Sequence, residues 1–546
     1  MDSITGPLFY TFLTALLVSM ALIPVFVSTA GRLHFLDYPG ERKVHALPVA
    51  RVGGVAFACG AAVGILLWKT NDTLILWTLL GSLVLLLFGI WDDRAGLPHR
   101  TKFWGQCLAA AVVVCSGAVR LDVVPFTHGA ALPWWASIPL SMFVIVGVTN
   151  AVNMADGLDG LAGGLSLLSL TGMAVLAHGA GDYSLLLIIT AVLGGLLGFL
   201  RFNTFPARVF MGDAGSQFLG FVLGLVAISL SNSGRGGYAA ALVLPLVGLP
   251  ILDGLGVMVE RYRTGVSLFV GDKRHLHHKL LAVGCSHQET VVLIYGLQAL
   301  MVASAYVLRW HSDWHALLAY LVLALPVVGL FVLAAYGEIR WTRGGTPDGK
   351  ATGAGPAAGS STRVERALPL MELGVAAFLL VAVLLPREVP RDFGWVALGW
   401  SAVLLIGFRA YPRGLPLLIR GGLYVGTAFA LFLSERAPIA AGWPTLAFLN
   451  VFLLGVALLV VIAMRFRGET DFQTTPLDWL MILLVATVMS VADLTIGETR
   501  LAPVLARMMV LFFAYEVLLQ TRRKDLSRWR WLSLWLLVGL GVRAWL

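Results

Sequence analysis

Charged side chains are scarce in this sequence. Of its 546 residues only 13% are Asp, Glu, Lys or Arg, whereas 58% are hydrophobic. A soluble globular domain carries roughly a quarter of charged residues, so this chain cannot cover itself with a water-compatible surface. Its solvent must be lipid, which excludes soluble folds and predicts an integral membrane protein.

Cysteine is scarce as well, and no cleavable signal peptide is apparent. The four cysteines are Cys59, Cys107, Cys115 and Cys285, and their spacing matches neither a zinc site nor a disulfide framework. We therefore expect four free thiols. The first apolar run follows Asp2 rather than a basic segment, which argues against a signal peptide. No repeat period is visible.

Long apolar runs dominate the chain. A run of about 17–25 residues can span a bilayer as a helix. The runs predict an all-α, polytopic transmembrane helix bundle, with about 11 spans in a first module and about 7 further C-terminal spans. A segment rich in Gly, Ala, Ser and Thr interrupts them and is typical of a flexible linker. The predicted organisation is a first transmembrane module at 1–338, a flexible cytoplasmic linker at 339–366 and an additional transmembrane module of unknown role at 367–546.

The basic residues are distributed unevenly between loops. The formal net charge of +9 would suggest nucleic acid in a soluble protein. Here the predicted spans are counted from the N-terminus, and a loop is called odd-numbered when it follows an odd-numbered span. Lys and Arg collect in the odd-numbered loops, for example Arg94, Arg100 and Lys102, while the even-numbered loops carry few. This pattern fixes membrane orientation. It predicts odd-numbered loops in the cytoplasm, an N-terminus outside and no nucleic-acid partner.

Polar residues gather in the same odd-numbered loops of the first module. The second of these loops begins with Asp92 and Asp93, directly after an apolar run. Adjacent side chains on a helix point about 100° apart, so the two carboxylates are expected to have different roles, one with a metal and one with a proton. The alternative is a pair of solvated loop charges.

The third loop reads NAVNMADGLDG and contains Asn150, Asn153, Asp156 and Asp159. If the segment is helical, these residues stand on neighbouring turns and form one wall of a pocket. Amides can pair with a base or ribose, and carboxylates can bind hydroxyls or a metal. The alternative is a polar loop with glycines that pack between helices.

The fourth loop places Asp213 between Gly212 and Gly215, just before the next span. A carboxylate in such a turn is a plausible Mg²⁺ ligand. The alternative is that Asp213 caps a helix that begins near Ser216.

The fifth loop contains His275, His277 and His278 beside Lys273 and Arg274. Three histidines suggest zinc, but no Cys or acidic residue stands at a matching spacing. A mixture of His, Lys and Arg favours phosphate oxygens instead.

The first loop contains Lys43 and His45, together with Asp37, Arg42 and Arg51. It is either a further anion site or only an orientation signal. Together, the five loops offer carboxylates for Mg²⁺, basic groups for phosphate and amides for a base or sugar, all next to lipid. This combination suits phosphoryl transfer between a soluble nucleotide and a lipid.

These motifs resemble those of the polyprenyl-phosphate N-acetylhexosamine-1-phosphate transferases over roughly residues 5–336. The resemblance implies catalytic roles for Asp92, Asp93 and Asp213, with Asp92 orienting or deprotonating the lipid phosphate. It implies metal binding by Asp213 and Asn153. The residues that it implies contact the sugar nucleotide are Lys43, His45, Asn150, Asn153, Asp156, Asp159, His275, His277 and His278.

Two residue differences within the motifs indicate which branch of that superfamily the sequence resembles. Leu276 separates His275 from His277, whereas the peptidoglycan branch has three consecutive histidines. That branch also has a lysine where this chain has Gly96, and Lys102 is the next lysine downstream. The sequence therefore resembles the UDP-GlcNAc-using branch, with UDP-MurNAc-pentapeptide as the alternative substrate.

The resemblance implies transfer of GlcNAc-1-phosphate from a UDP-sugar to undecaprenyl phosphate, with Mg²⁺ or Mn²⁺, at the cytoplasmic face of a bacterial inner membrane. The product would start a cell-surface glycan such as O-antigen of lipopolysaccharide. Family analogy also allows a homodimer. The competing hypotheses are a transporter and a binding protein without catalysis. Transport sites lie near the bilayer midplane, whereas these polar clusters lie at one face.

Overall fold

The structure is a computed structural model, and two compact units make up the chain. It describes residues 5–38, 47–68, 72–123, 125–127, 130–232, 238–267, 274–335, 360–410, 414–436, 445–465, 475–489, 495–496, 499–521 and 526–546. The first unit comprises Ser3–Gly345 with Thr475–Thr487. The second comprises Met1–Asp2, Thr346–Thr474 and Val488–Leu546.

Nineteen α-helices occur in the described residues, and they confirm the all-α fold. They are α1 (Thr5–Ala30), α2 (Gly53–Trp68), α3 (Thr73–Ala95), α4 (His99–Cys115), α5 (Trp134–Ala155), α6 (Leu161–Gly179), α7 (Tyr183–Asn203), α8 (Gly212–Ser231), α9 (Val243–Arg263), α10 (Leu276–Ala282), α11 (His287–Val307), α12 (Asp313–Ala335), α13 (Ser360–Ala382), α14 (Arg391–Ala410), α15 (Leu415–Arg436), α16 (Thr445–Arg465), α17 (Pro476–Met489), α18 (Leu501–Thr521) and α19 (Ser527–Arg543).

Every predicted span overlaps a helix, but fewer helices have the full length and apolarity of a membrane span. Within the described residues, 12 helices meet both criteria, and four apolar helices are shorter. One of the seven predicted C-terminal spans, at 478–495, overlaps α17 but is wrong at its last residue, because Thr495 lies in a strand. Beyond it, β3 (Thr495–Ile496) pairs antiparallel with β4 (Thr499–Arg500).

Helix α17 follows the proposed linker in sequence, yet Leu477 and Leu480 belong to the hydrophobic core of the first unit. The module boundaries remain a prediction. The short helix α10, which carries His277 and His278, was not predicted as a separate element.

Three helices form the centre of the first unit. The apolar windows of α8, α6 and α7 are 89%, 83% and 72% buried inside the protein, against 17% for α12. Helices buried all round in a membrane protein pack against other helices rather than against lipid. The loops at the ends of α6, α7 and α8 are therefore attached to the most deeply buried helices of the unit.

A small strand patch joins two of the odd-numbered loops. Strand β1 (Leu36–Asp37) pairs antiparallel with β2 (Val49–Ala50), and Ala50 forms a parallel bridge with Val209 of the α7–α8 loop. The amide of Gly54 donates to the carbonyl of Met211 at 2.8 Å. The all-helical prediction missed these strands, since two-residue strands carry no periodic signal.

Candidate active site

The five odd-numbered loops of the first unit meet around one cavity of about 680 Å³. Six predicted site residues line it: Asp93, Asn153, Asp156, Asp159, Asp213 and His278. Four others, Asp92, Asn150, His275 and His277, are not among the lining residues. Lys43 and His45 lie outside the described residues. The polar loops thus form a single site, although its walls include only part of the predicted set.

Lys102 connects two carboxylates from different loops. Its Nζ lies 2.5 Å from Oδ2 of Asp92 and 3.4 Å from Oδ2 of Asp213. Asp92 is buried, and its Oδ1 accepts the amide of Leu97 at 2.7 Å. The side chain of Lys102 is 25% exposed, so one ammonium is shared between two carboxylates and still open to a ligand. From the sequence, Lys102 is an orientation charge and the next lysine after Gly96, and neither feature indicates these two partners.

A tight reversal of the chain brings Lys102 back to Asp92. Gly96 has φ +66°, in the left-handed region, and its amide donates to the carbonyl of Asp92 at 2.8 Å. Such a glycine ends a helix with little strain. Pro98 then precedes α4, which begins at His99 and places Lys102 in its first turn.

Asp93 caps α8 from a different helix. Its two carboxylate oxygens accept the amides of Asp213 at 2.8 Å and of Ala214 at 3.0 Å. The alternative prediction that Asp213 caps a helix near Ser216 is wrong, because α8 begins at Gly212 and Asp213 lies within its first turn. The residue before the helix is Met211, which has no side-chain oxygen to act as a cap. Asp93 therefore fixes the backbone that carries Asp213.

The two asparagines of the third loop have different surroundings. The amide nitrogen of Asn150 donates to Oε1 of Gln106 at 2.7 Å, and Gln106 in turn donates to Gln217 at 3.1 Å. Asn150 thus belongs to an amide network between helices. Asn153 lines the cavity, and its Oδ1 accepts the hydroxyl of Ser216 at 2.6 Å.

The helical reading of the third loop is wrong beyond Ala155, where α5 ends. Asp156 occupies the C-cap, and Asp159 lies in the following turn, where its Oδ2 accepts the amide of Ala207 at 2.9 Å. The tyrosine hydroxyl of Tyr295 donates to the carbonyl of Gly160 at 2.6 Å and holds the same turn from α11. The loop therefore owes its shape to contacts with other elements.

Negative charge accumulates on this side of the cavity. Burial, followed by the charges of Asp213 and Asp159, raises the pKa of Asp156 to about 7. The positive charge of Arg51 acts in the opposite sense and lowers the pKa of Asp156. Arg51 lines the cavity and pairs with Asp37. Several carboxylates thus compete for little positive charge, an arrangement that a cation or a basic ligand would stabilise.

The histidine motif packs against the third loop at Gly157. The ring of His277 is buried, and a Cβ on Gly157 would lie 2.3 Å from its Nε2. Burial, and then the nearby histidines, lower the pKa of His277 to about 3, so this ring is neutral. His278 reaches the cavity itself. In the described part of the chain, no group of three or more His, Cys, Asp or Glu is placed to hold a metal ion.

Sequence comparison with known proteins places the chain in a family. The family model described as Glycosyl transferase family 4 matches residues 75–231. A Bacillus subtilis protein named probable undecaprenyl-phosphate N-acetylglucosaminyl 1-phosphate transferase is 34% identical over 319 residues, which cover 58% of this chain and 88% of that protein. The chain belongs to glycosyl transferase family 4.

Two further relatives in this family differ in their named substrates. The decaprenyl-phosphate N-acetylglucosaminephosphotransferase of Mycolicibacterium smegmatis is 36% identical over 301 residues, covering 49% of this chain and 73% of that protein. The phospho-N-acetylmuramoyl-pentapeptide-transferase of Desulforamulus reducens is 33% identical over 297 residues, covering 48% and 85%. The family match at 75–231 includes most of α3 and all of α4 to α8, and so every predicted catalytic residue.

Proposed function

We propose that the protein transfers N-acetylglucosamine-1-phosphate from UDP-GlcNAc to undecaprenyl phosphate and releases UMP. The observation that carries this proposal is the ion pairing of Lys102 with Asp92 and with Asp213, the second of which lines the cavity. Phosphoryl transfer needs positioned charge more than covalent chemistry. The Bacillus subtilis and Mycolicibacterium smegmatis relatives, whose names specify N-acetylglucosamine and a polyprenyl phosphate, support the same reaction.

The acceptor phosphate is bound by Lys102 in this mechanism. Its ammonium attracts the phosphate, and Asp92, 2.5 Å from that ammonium, accepts the remaining proton of the acceptor. An oxygen of the lipid phosphate attacks the β-phosphorus of the donor directly. The new bond joins the two phosphates, and the bond from the β-phosphorus to the oxygen shared with the α-phosphate breaks. The electron pair leaves with UMP.

The donor occupies the rest of the cavity. Asn153 and Asp159 offer an amide and a carboxylate to uridine and sugar hydroxyls, and His278 and Arg51 face the diphosphate. All four side chains line the same cavity, so the donor and the Lys102–Asp213 pair are within reach of each other.

The donor set of the site fits a hard divalent cation, Mg²⁺ or Mn²⁺. Asp213 and Asn153 supply oxygen ligands, and the crowded carboxylates around Asp156 favour added positive charge. Mg²⁺ is commonly bound by one or two carboxylates together with substrate phosphates and water, which agrees with the small number of protein ligands. When bound, the cation neutralises charge that develops on the diphosphate.

Transfer of label tests the reaction. UDP-GlcNAc labelled in its β-phosphate is incubated with purified protein, undecaprenyl phosphate and Mg²⁺, and the extracted lipid is counted. We expect labelled lipid from the wild type and from Asp122→Asn, an exposed carboxylate of an even-numbered loop, but not from Asp213→Asn. Label from UDP-MurNAc-pentapeptide alone would overturn the choice of donor. A folded wild type that yields no labelled lipid from any UDP-sugar would overturn the enzyme and favour transport or binding.

The charge distribution of the loops supports a cytoplasmic site in the bacterial inner membrane, with the N-terminus outside. Two native cysteines provide the test, because Cys285 lies in the fifth odd-numbered loop and the exposed Cys115 ends α4 at the opposite side. With each kept as the only cysteine, a membrane-impermeant maleimide should label Cys115 in intact cells and Cys285 only in inverted vesicles. The reverse pattern would contradict this orientation.

A further inference from the structure

Helix α10, which carries the histidine motif, is held at its start by a carboxylate that the motif does not contain. Oδ2 of Asp253, on α9, lies 2.9 Å from Nδ1 of His275. Oδ1 of the same side chain accepts the amide of Leu276 at 2.7 Å. Asp253 and His275 are both buried, at 6% and 8% exposure. One aspartate therefore fixes both a ring and the backbone that follows it.

The contact determines which nitrogen of His275 is available. An ionised carboxylate only accepts hydrogen bonds, so in the neutral imidazole the proton must lie on Nδ1, facing Asp253. Nε2 then remains as the atom that can interact elsewhere. A carboxylate behind a histidine sets the tautomer and the ring orientation in this way at many functional sites.

Contacts between imidazole rings link His275 to the wall of the cavity. The rings of His275 and His277 are nearly parallel, at 6°, with centroids 5.7 Å apart. The centroids of His277 and His278 are 4.2 Å apart. His277 packs against Gly157, and both Gly157 and His278 line the cavity. A rotation of His275 would therefore disturb a wall of the cavity.

A second carboxylate of α9 holds the same short helix without touching an imidazole. Oε2 of Glu260 lies 2.7 Å from Nζ of Lys279, which also lies 4.6 Å from the ring centroid of Phe331. Glu260 follows Asp253 by two helical turns and so lies on the same face of α9. It provides a matched control for a merely structural role.

We propose that Asp253 is a positioning residue for the sugar-nucleotide end of the cavity, acting through His275 and the adjoining rings of His277 and His278. This proposal rests on the proposed function for its substrate. The proposal gives the two carboxylates of α9 different roles. Asp253 orients the histidine side chains, whereas Glu260 holds α10 through Lys279.

The test compares Asp253→Asn, Asp253→Glu and Glu260→Gln. Asparagine retains an oxygen for the Leu276 amide but presents an NH₂ group to His275, which forces the opposite tautomer. We expect Asp253→Asn to raise KM for UDP-GlcNAc about tenfold or more, with KM for undecaprenyl phosphate changed less than about twofold. Asp253→Glu, which restores a carboxylate, should recover part of the loss, and Glu260→Gln should change neither KM.

The outcomes separate this proposal from the proposed function. An equal change in both KM values, or the same profile for Asp253→Asn and Glu260→Gln, would overturn the positioning role. A wild type without transfer activity would overturn the proposed function instead. In that case calorimetric binding of UDP to the wild type and the three variants still tests Asp253, and unchanged affinity in Asp253→Asn would reject its role.

Discussion

Buried charges are arranged differently in the two units. In the first unit, Asp92 and Asp213 share the single ammonium of Lys102 beside an open cavity. In the second unit, Glu516 receives two hydrogen bonds from Arg420, at 2.9 and 3.2 Å, and a third from Tyr424. The first arrangement has more negative than positive charge. In the second, one carboxylate pairs with one guanidinium and accepts a further hydrogen bond from a hydroxyl.

A second matched pair strengthens the contrast. Arg507 of α18 donates to Glu435 at 2.6 Å and to Asn450 at 2.9 Å. Together with Arg420 and Glu516, it ties α15 to α18 and α16. Ionisable groups within a membrane protein are costly and usually functional, but a satisfied pair has no capacity left for a ligand. We therefore expect catalysis to depend on the crowded carboxylates and stability to depend on the matched pairs.

The largest expected effect comes from Asp213→Asn. We expect transfer of label to fall by about 100-fold or more, since a charged group at the reacting phosphates is lost. The thermal midpoint without substrate should stay the same or rise, because a like charge near Asp156 is removed. A fall in both activity and thermal midpoint would show that Asp213 stabilises the fold, and would contradict the distinction between crowded carboxylates and matched pairs.

Glu516→Gln should affect stability instead of catalysis. Removing one partner of a buried ion pair leaves Arg420 uncompensated and costs about 3 kcal/mol. We expect a lower unfolding temperature in detergent, with kcat per folded molecule unchanged. The double variant Arg420→Met with Glu516→Leu should recover stability. A loss of kcat at unchanged stability would show that the second unit takes part in the reaction.

Asp93→Ala should lower both stability and activity, each by less than the preceding variants lower one of them. It removes the acceptor for the amides of Asp213 and Ala214, and the loss of a helix cap costs about 1 kcal/mol. We expect a lower thermal midpoint together with reduced kcat, as Asp213 loses its fixed backbone. Asp93→Asn, which still offers one oxygen, should lie between Ala and the wild type. Full activity in Asp93→Ala would refute the positioning of Asp213.

The smallest effect concerns pH and His277. Its pKa is about 3 in the fold against 6.5 unperturbed, so the unfolded chain binds the extra proton between these values. The contribution of His277 to stability should therefore fall as pH drops below about 6.5, by at most about 1.4 kcal/mol per pH unit, while the raised pKa of Asp156 acts in the opposite sense. We expect the thermal midpoint of His277→Gln, measured relative to the wild type, to be higher at pH 5.5 than at pH 7.5. The same relative midpoint at both pH values would contradict the neutral buried ring.

Much of the site was predictable from local features of the sequence. Apolar runs identify helices because each run must match the thickness of the bilayer, and the uneven basic residues group the five polar loops on one side. The resulting groups included Asp93, Asn153, Asp156, Asp159, Asp213 and His278, which line the cavity.

The tertiary structure alone decided which groups meet. Asp93 and Asp213 are 120 residues apart in sequence, yet the carboxylate of one binds the amide of the other. Lys102, Asp253 and Glu260 became partners of motif residues only because their helices pack side by side. The same packing places Asn150 in an amide network between helices rather than in the cavity wall. Sequence patterns report periodicity and composition along one segment, whereas hydrogen bonds between segments depend on how helices distant in the chain are packed.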